Sequence, residues 1–189
     1  IIPASEIALN GSITGISFYN NFTAGLQNLP TKIWLGTTTL TNLSAGWIPA
    51  YQMVQVFNGN VNYPLGQNII HIPFSAANHF NYTGGNLVLM VNRPLDTNFY
   101  GASNQFFCQT VGTNRARNVY SDATVYDPNN MGTVGTVSGQ FPKTTLYIMP
   151  SVQEPEFSVE PASHNFGNVA LNQTLSQAFN VFNAGGGTL

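Results

Sequence analysis

The chain has 189 residues, 43% of them hydrophobic and 12% aromatic, yet only 6% are charged where about 25% is usual. That apolar content argues against disorder, and the net charge of −2 leaves neither a basic stripe for nucleic acid nor an acidic patch for a cationic partner. No apolar run is long enough to span a bilayer, and solubility rests on neutral polar side chains, 24 Asn among them.

Taken in chain order, the dominant period is two. Strand composition recurs at residues 12–19 ("SITGISFY"), 31–38 ("TKIWLGTT"), 53–60 ("MVQVFNGN"), 68–74 ("NIIHIPF"), 86–93 ("NLVLMVNR"), 105–111 ("QFFCQTV"), 117–122 ("RNVYSD") and 144–150 ("TTLYIMP"). Each run is rich in β-branched or aromatic residues and is bounded by Asn, Gly, Pro or Ser. The best chance of a helical turn is "LTNLSAGW" (40–47); no helical period is sustained over three turns. About eight strands at this spacing predict an all-β fold, a jelly-roll-type β-sandwich.

After the eighth run, "MPSVQEPEFSVEPASHNFG" concentrates proline together with Glu154, Glu156 and Glu160. Proline fixes φ and removes ladder donors, so the stretch reads as an extended linker. The predicted division is residues 1–152, the sandwich, and 153–189, the linker with a partial immunoglobulin-like β segment, broken near Gln153. Within the latter, "FSVEP" with "HNFGNV" predicts a short edge strand and "LSQAFNVFN" a second one. Phe166, Val169, Leu175, Phe179 and Val181 give these strands apolar faces that two strands cannot bury alone. An uncharged apolar edge is a template for pairing with another chain, so these five residues are the expected assembly residues.

Chemistry is sparse. Glycosidase catalysis needs two carboxylates facing each other across a cleft. Of the carboxylates before the linker, Glu6, Asp96, Asp122 and Asp127, only the last two are near in sequence. They stand in "SDATVYDPNNMG", where turn acids cap local backbone donors. The alternative is a calcium ion held by Asp122, Asp127 and Asn129 or Asn130, the only cofactor the sequence suggests. His71, His79 and His164 lack metal-ligand spacing and read as packing or loop residues. No G-x-S-x-G elbow is present, so nucleophilic catalysis has no support.

Cys108 reads as a small buried strand residue, and a single cysteine permits no intramolecular disulfide. Sequons begin at Asn10, Asn21, Asn42, Asn81 and Asn172, a number that Asn and Thr richness explains. Trp47 and Tyr51 fall in an irregular stretch between strands. Trp47 reads first as a plug at the end of the sandwich, and with Tyr51 second as a platform on which a sugar ring stacks.

Two resemblances add to this reading. The residues Pro161, Phe166, Gly167, Val169, Phe179, Val181, Asn183 and Gly185 follow the pattern proline, F-G-x-V, polar turn, F-x-V-x-N-x-G. The segment thereby resembles the first third of an immunoglobulin-like repeat of the ASH/Hydin-like group. Residues Gly15, Ile16, Trp34, Leu35, Gly36, Trp47, Val56, Phe57, Gly59, Phe74, Tyr82, Gly85, Asn86 and Leu87 make the larger part distantly similar to the cleaved-adhesin jelly rolls of bacterial secreted surface proteins. That resemblance implies an extracellular β-sandwich used for adhesion or carbohydrate contact.

The expected function is therefore a non-enzymatic structural or adhesive protein of the cell surface, a subunit of a filament or tube assembled by β-strand pairing. The alternative is a carbohydrate-binding accessory module of a larger secreted hydrolase or peptidase. Expected partners are copies of itself, other surface-protein modules or a glycan, because weak surface charge permits close self-association. The start at Ile1 suggests a mature or excised piece.

Overall fold

The computed structural model describes residues 1–96, 101–151 and 155–185. The chain divides into two compact units, Ile1–Pro150 and Ser151–Leu189. The predicted break near Gln153 lies outside the described residues.

Unit one is an all-β sandwich. Its first sheet is built on β1 (Gly11–Phe22), which carries β12 (Thr144–Pro150) and then β7 (Gln105–Phe106) along one side. Along the other side lie β5 (Phe80–Tyr82) and then β4 (Gly66–Pro73). The second sheet has β2 (Leu26–Thr38) between β3 (Val54–Tyr63) and β6 (Asn86–Asn92). All pairs are antiparallel, and the chain changes sheets between β1 and β2, β3 and β4, and β5 and β6.

The phase of the apolar residues explains the irregularities. On β1 the core residues Ile13 and Ile16 are separated by an odd interval, which an unbroken strand cannot aim at one face. A register shift between Ile13 and Gly15 restores the phase, so that Ile16, Phe18 and Phe22 all reach the core. The carbonyl at the bulge, that of Thr14, accepts the Phe74 N–H at 2.8 Å. A second shift, opposite Ile33 and Trp34, leaves Val56 as the extra residue on β3 and buries it completely. Near the start of β2, Asn28 takes φ +57°, and its N–H donates to Asn62 Oδ1 at 2.7 Å, closing a third irregularity. Ile33, Leu35, Leu29, Val61, Tyr63, Ile70, Ile72, Phe80, Tyr82 and Leu87 complete the core between the sheets.

Outside the two sheets, β8 (Cys108–Thr110) pairs with β11 (Gln140–Pro142), and β9 (Ala116–Asn118) with β10 (Thr136–Ser138). These ribbons correct two expectations. The run 105–111 is not one strand: at Phe107, whose N–H reaches Tyr19 O, the chain leaves β1, and Cys108 lies exposed on the peripheral ribbon, not in the core. The run 117–122 keeps strand structure only through Asn118.

The anticipated helical turn at 40–47 is likewise replaced. Gly46 has φ +143°, Asn42 Oδ1 accepts the Ser44 N–H, and the Trp47 N–H bonds Gly132 O, so the local donors are spent on turns and on a distant loop. Single 3₁₀ turns occur instead at Ala4–Glu6, Ala50–Gln52 and Ala76–Asn78. Among the described residues no helix is long and apolar enough to cross a membrane.

In unit two, β13 (Phe157–Glu160) pairs antiparallel with β14 (Asn180–Asn183). "HNFGNV" forms no strand. Asn183 of the F-x-V-x-N-x-G pattern closes the ribbon, its Oδ1 accepting the N–H groups of Glu156 and Gly185 at 2.9 and 3.0 Å.

Candidate functional site: an aromatic groove

In a two-layer sandwich the outward residues of a strand meet solvent. On β2 the inward residues are Ile33 and Leu35, so Lys32, Trp34 and Gly36 face out. Pairing sets them in rows: Asn58, Lys32 and Asn92 in one, and Gln55, Trp34 and Met90 in the next. Met90 is nevertheless 6% exposed and Val88 4%, because two excursions of the chain, 39–53 and 107–135, fold over this face as a third layer.

Few contacts hold that layer, and they are specific. The Arg117 guanidinium donates to the carbonyls of Leu43, Ser44 and Thr133 at 3.0, 3.2 and 2.7 Å, fastening one excursion to the other. Trp47 Nε1 donates to Val134 O at 2.8 Å, and Ala50 N to Pro128 O at 3.0 Å. Arg115, 7% exposed, pairs with Glu6 at 2.6 and 3.2 Å and lies 5.1 Å from the centre of the Phe141 ring. Met53 lies over Gly36, where an added Cβ would come within 2.7 Å of it.

Between these walls runs an open groove of about 930 Å³. Its floor is the outer face of β2, β3 and β6: Lys32, Trp34, Gln55, Met90 and Asn92. One wall is the stretch bearing Trp47, Tyr51 and Met53. The other is the segment 119–131, with Tyr120, Asp122, Tyr126, Asp127 and Asn129, and one end is closed by 93–96. Both tryptophans of the chain thus line one groove.

The residues singled out from sequence distribute as follows. Trp47 and Tyr51 come together with Asp122 and Asp127 in this groove. Trp47 is half-buried and lines both this groove and a more apolar cavity of about 730 Å³. Tyr51, on a 3₁₀ turn, is 72% exposed. Asp127 Oδ1 caps the Asn129 N–H at 2.9 Å, a turn contact. Asp122 and Asp127 are exposed and share a wall, and among the described residues no three His, Cys, Asp or Glu side chains cluster as metal ligands would. Asp96, by the far end, pairs with Arg93 at 2.9 Å.

The expected assembly residues all lie in unit two. Phe166, Val169, Leu175, Phe179 and Val181 are each between 40% and 59% exposed. The His71 ring lies 4.5 Å from that of Tyr147 at a tilt of 49°, and the His164 ring meets that of Phe166 edge-on at 4.7 Å.

The local sequence gives Lys32, Gln55, Met90, Asn92 and Tyr126 no signal as site residues, and Trp34 enters only through a resemblance. The alternation in "KIWLG" does carry the signal for Trp34: with Ile33 and Leu35 inward, a large indole has to face out, where an exposed aromatic serves a function or needs a cover. No family model, no curated protein and no solved structure matches the chain.

Proposed function

We propose that the chain is a non-enzymatic, glycan-binding adhesive module of the cell exterior. The observation that carries this reading is the groove: five aromatic side chains, Trp34, Trp47, Tyr51, Tyr120 and Tyr126, with the amides and carboxylates of Gln55, Asn92, Asp122, Asp127 and Asn129 between them. A sugar ring offers an apolar C–H face and a rim of hydroxyls. It therefore takes aromatic faces for stacking, together with donors and acceptors that fix its orientation. An open groove on a rigid sheet suits a chain of such rings. The expectation drawn from the sequence, a module of the cleaved-adhesin kind, agrees with this reading.

Binding without turnover is the consistent chemistry. Asp122 and Asp127 stand on one wall, and the carboxylate nearest the other end, Asp96, is paired with Arg93, so among the described residues of the groove no free pair flanks a bond from opposite sides. A saccharide array probed with the purified protein tests the reading. Binding to a defined glycan, with no release of reducing ends and no dependence on added calcium, is expected. Hydrolysis abolished by Asp122→Asn or Asp127→Asn would replace it with an enzymatic function.

A specific observation favours a second role beside the first. In unit two the apolar residues Phe157, Leu171, Leu175, Val181 and Phe182 all face solvent, and Leu171 is 91% exposed. Such a surface beside a two-stranded ribbon supports strand pairing with another chain.

A further inference from the structure

We infer that the groove selects an acidic saccharide, whose anionic group meets Lys32; the inference rests on the glycan-binding reading and adds the substrate class. It begins from an inventory of cations. The chain has five, and four are engaged: Arg93 with Asp96, Arg115 with Glu6, Arg117 with backbone carbonyls, and Lys143 over the Tyr19 ring at 4.7 Å. Among the described residues Lys32 has no such partner, although it is half-buried in the groove floor.

Its surroundings make that condition structural. Cross-strand neighbours are the residues best placed to pair with a strand lysine, and on both sides they are amides: Asn58 on β3 and Asn92 on β6. Trp34 stands two residues along the same strand, roughly 7 Å away. A ring stacked on Trp34 thus brings its own substituent, or that of the next ring, over the ammonium, with Asn92, which also lines the groove, able to bond a flanking hydroxyl.

The carboxylates of the groove lie elsewhere. Asp96 is held by Arg93, and Asp122 and Asp127 stand on the wall formed by 119–131, where Asp127 caps Asn129. A uronate enters such a groove with its carboxylate towards the floor, because the wall repels it. In a molecule with 7 acidic residues and a net charge of −2, Lys32 supplies the attraction locally, the other cation of the groove, Arg93, being paired with Asp96.

The test compares uronate oligosaccharides with their carboxyl-reduced, neutral counterparts, by calorimetry on the intact chain. The acidic members should bind roughly tenfold tighter or more, the worth of a charge-assisted hydrogen bond, and the advantage should shrink as salt is raised. It should vanish in Lys32→Gln and persist in Lys32→Arg, with unfolding midpoints confirming that both variants fold. Equal affinity for acidic and reduced sugars, or a preference untouched by Lys32→Gln, overturns the charge selection while leaving glycan binding standing. Failure of every saccharide to bind overturns both.

Discussion

Arg117 shows how much one charge carries in a chain with so few. Its contacts to carbonyls on both excursions fasten the layer that makes the groove, and none of them is an ion pair. Hydrogen bonds to a charged group are worth about 1.5–3 kcal/mol each, and those of Arg117 are part-buried or exposed. Arg117→Met should therefore lower the stability of unit one by about 2 kcal/mol or more in urea unfolding and weaken saccharide binding with it. Loss of neither would mean that the excursions are held by packing alone. Tyr63 offers a pH test: burial raises its phenol pKa above 10, with the Thr31 hydrogen bond and Arg93 opposing the shift. The neutral phenol is the form the fold favours, so its contribution is complete below pH 10 and is lost as the pH climbs through the raised value. Tyr63→Phe should flatten the alkaline limb of the stability profile; an unchanged limb would assign it to other tyrosines. Cys108, exposed on a peripheral ribbon, should label with a thiol reagent in the native state at the rate of a free thiol, and protection would contradict its placement on β8.

At the scale of elements, the strands follow from local sequence and the ribbons do not. The odd interval between Ile13 and Ile16 already announces a bulge, and the alternation in "KIWLG" fixes which face of β2 is core. By contrast, the turn at Gly46 is set by Gly132, 86 positions away, whose carbonyl lies 2.6 Å from where a Cβ on Gly46 would stand. A local window cannot report that, which is why "LTNLSAGW" looked helical. The same holds for Cys108: "QFFCQTV" has strand composition throughout, and only the departure of the chain at Phe107 decides that it faces solvent. Gly139 gives an element-level prediction, since a Cβ there would stand 2.0 Å from Val111 O at the junction of β8 and β11. Gly139→Ala should loosen this ribbon, read as faster amide exchange at Val111, while β1 and β2 keep their protection. Uniform loss of protection would show the ribbon to be integral to the sandwich.

For the whole molecule, Trp47, Tyr51, Asp122 and Asp127 were legible as separate candidates for sugar and calcium. Their meeting in one groove was not legible, because it depends on which loops cover the second sheet. Unit two makes its own prediction. If its exposed apolar residues pair between chains, Val181→Asp should lower the association state seen in sedimentation, and an unchanged state would leave them without that role. The central claim is that the groove binds glycan, and the chain provides a direct reporter, because Trp34 and Trp47 are its only tryptophans and both line the groove. The decisive measurement is a tryptophan-fluorescence titration across a saccharide panel, with Trp34→Phe and Trp47→Phe used to assign the signal. A saturable change for an acidic glycan, strongly weakened in Trp34→Phe, is predicted. A flat response across the panel, or one that survives unaltered in both variants, would contradict the account.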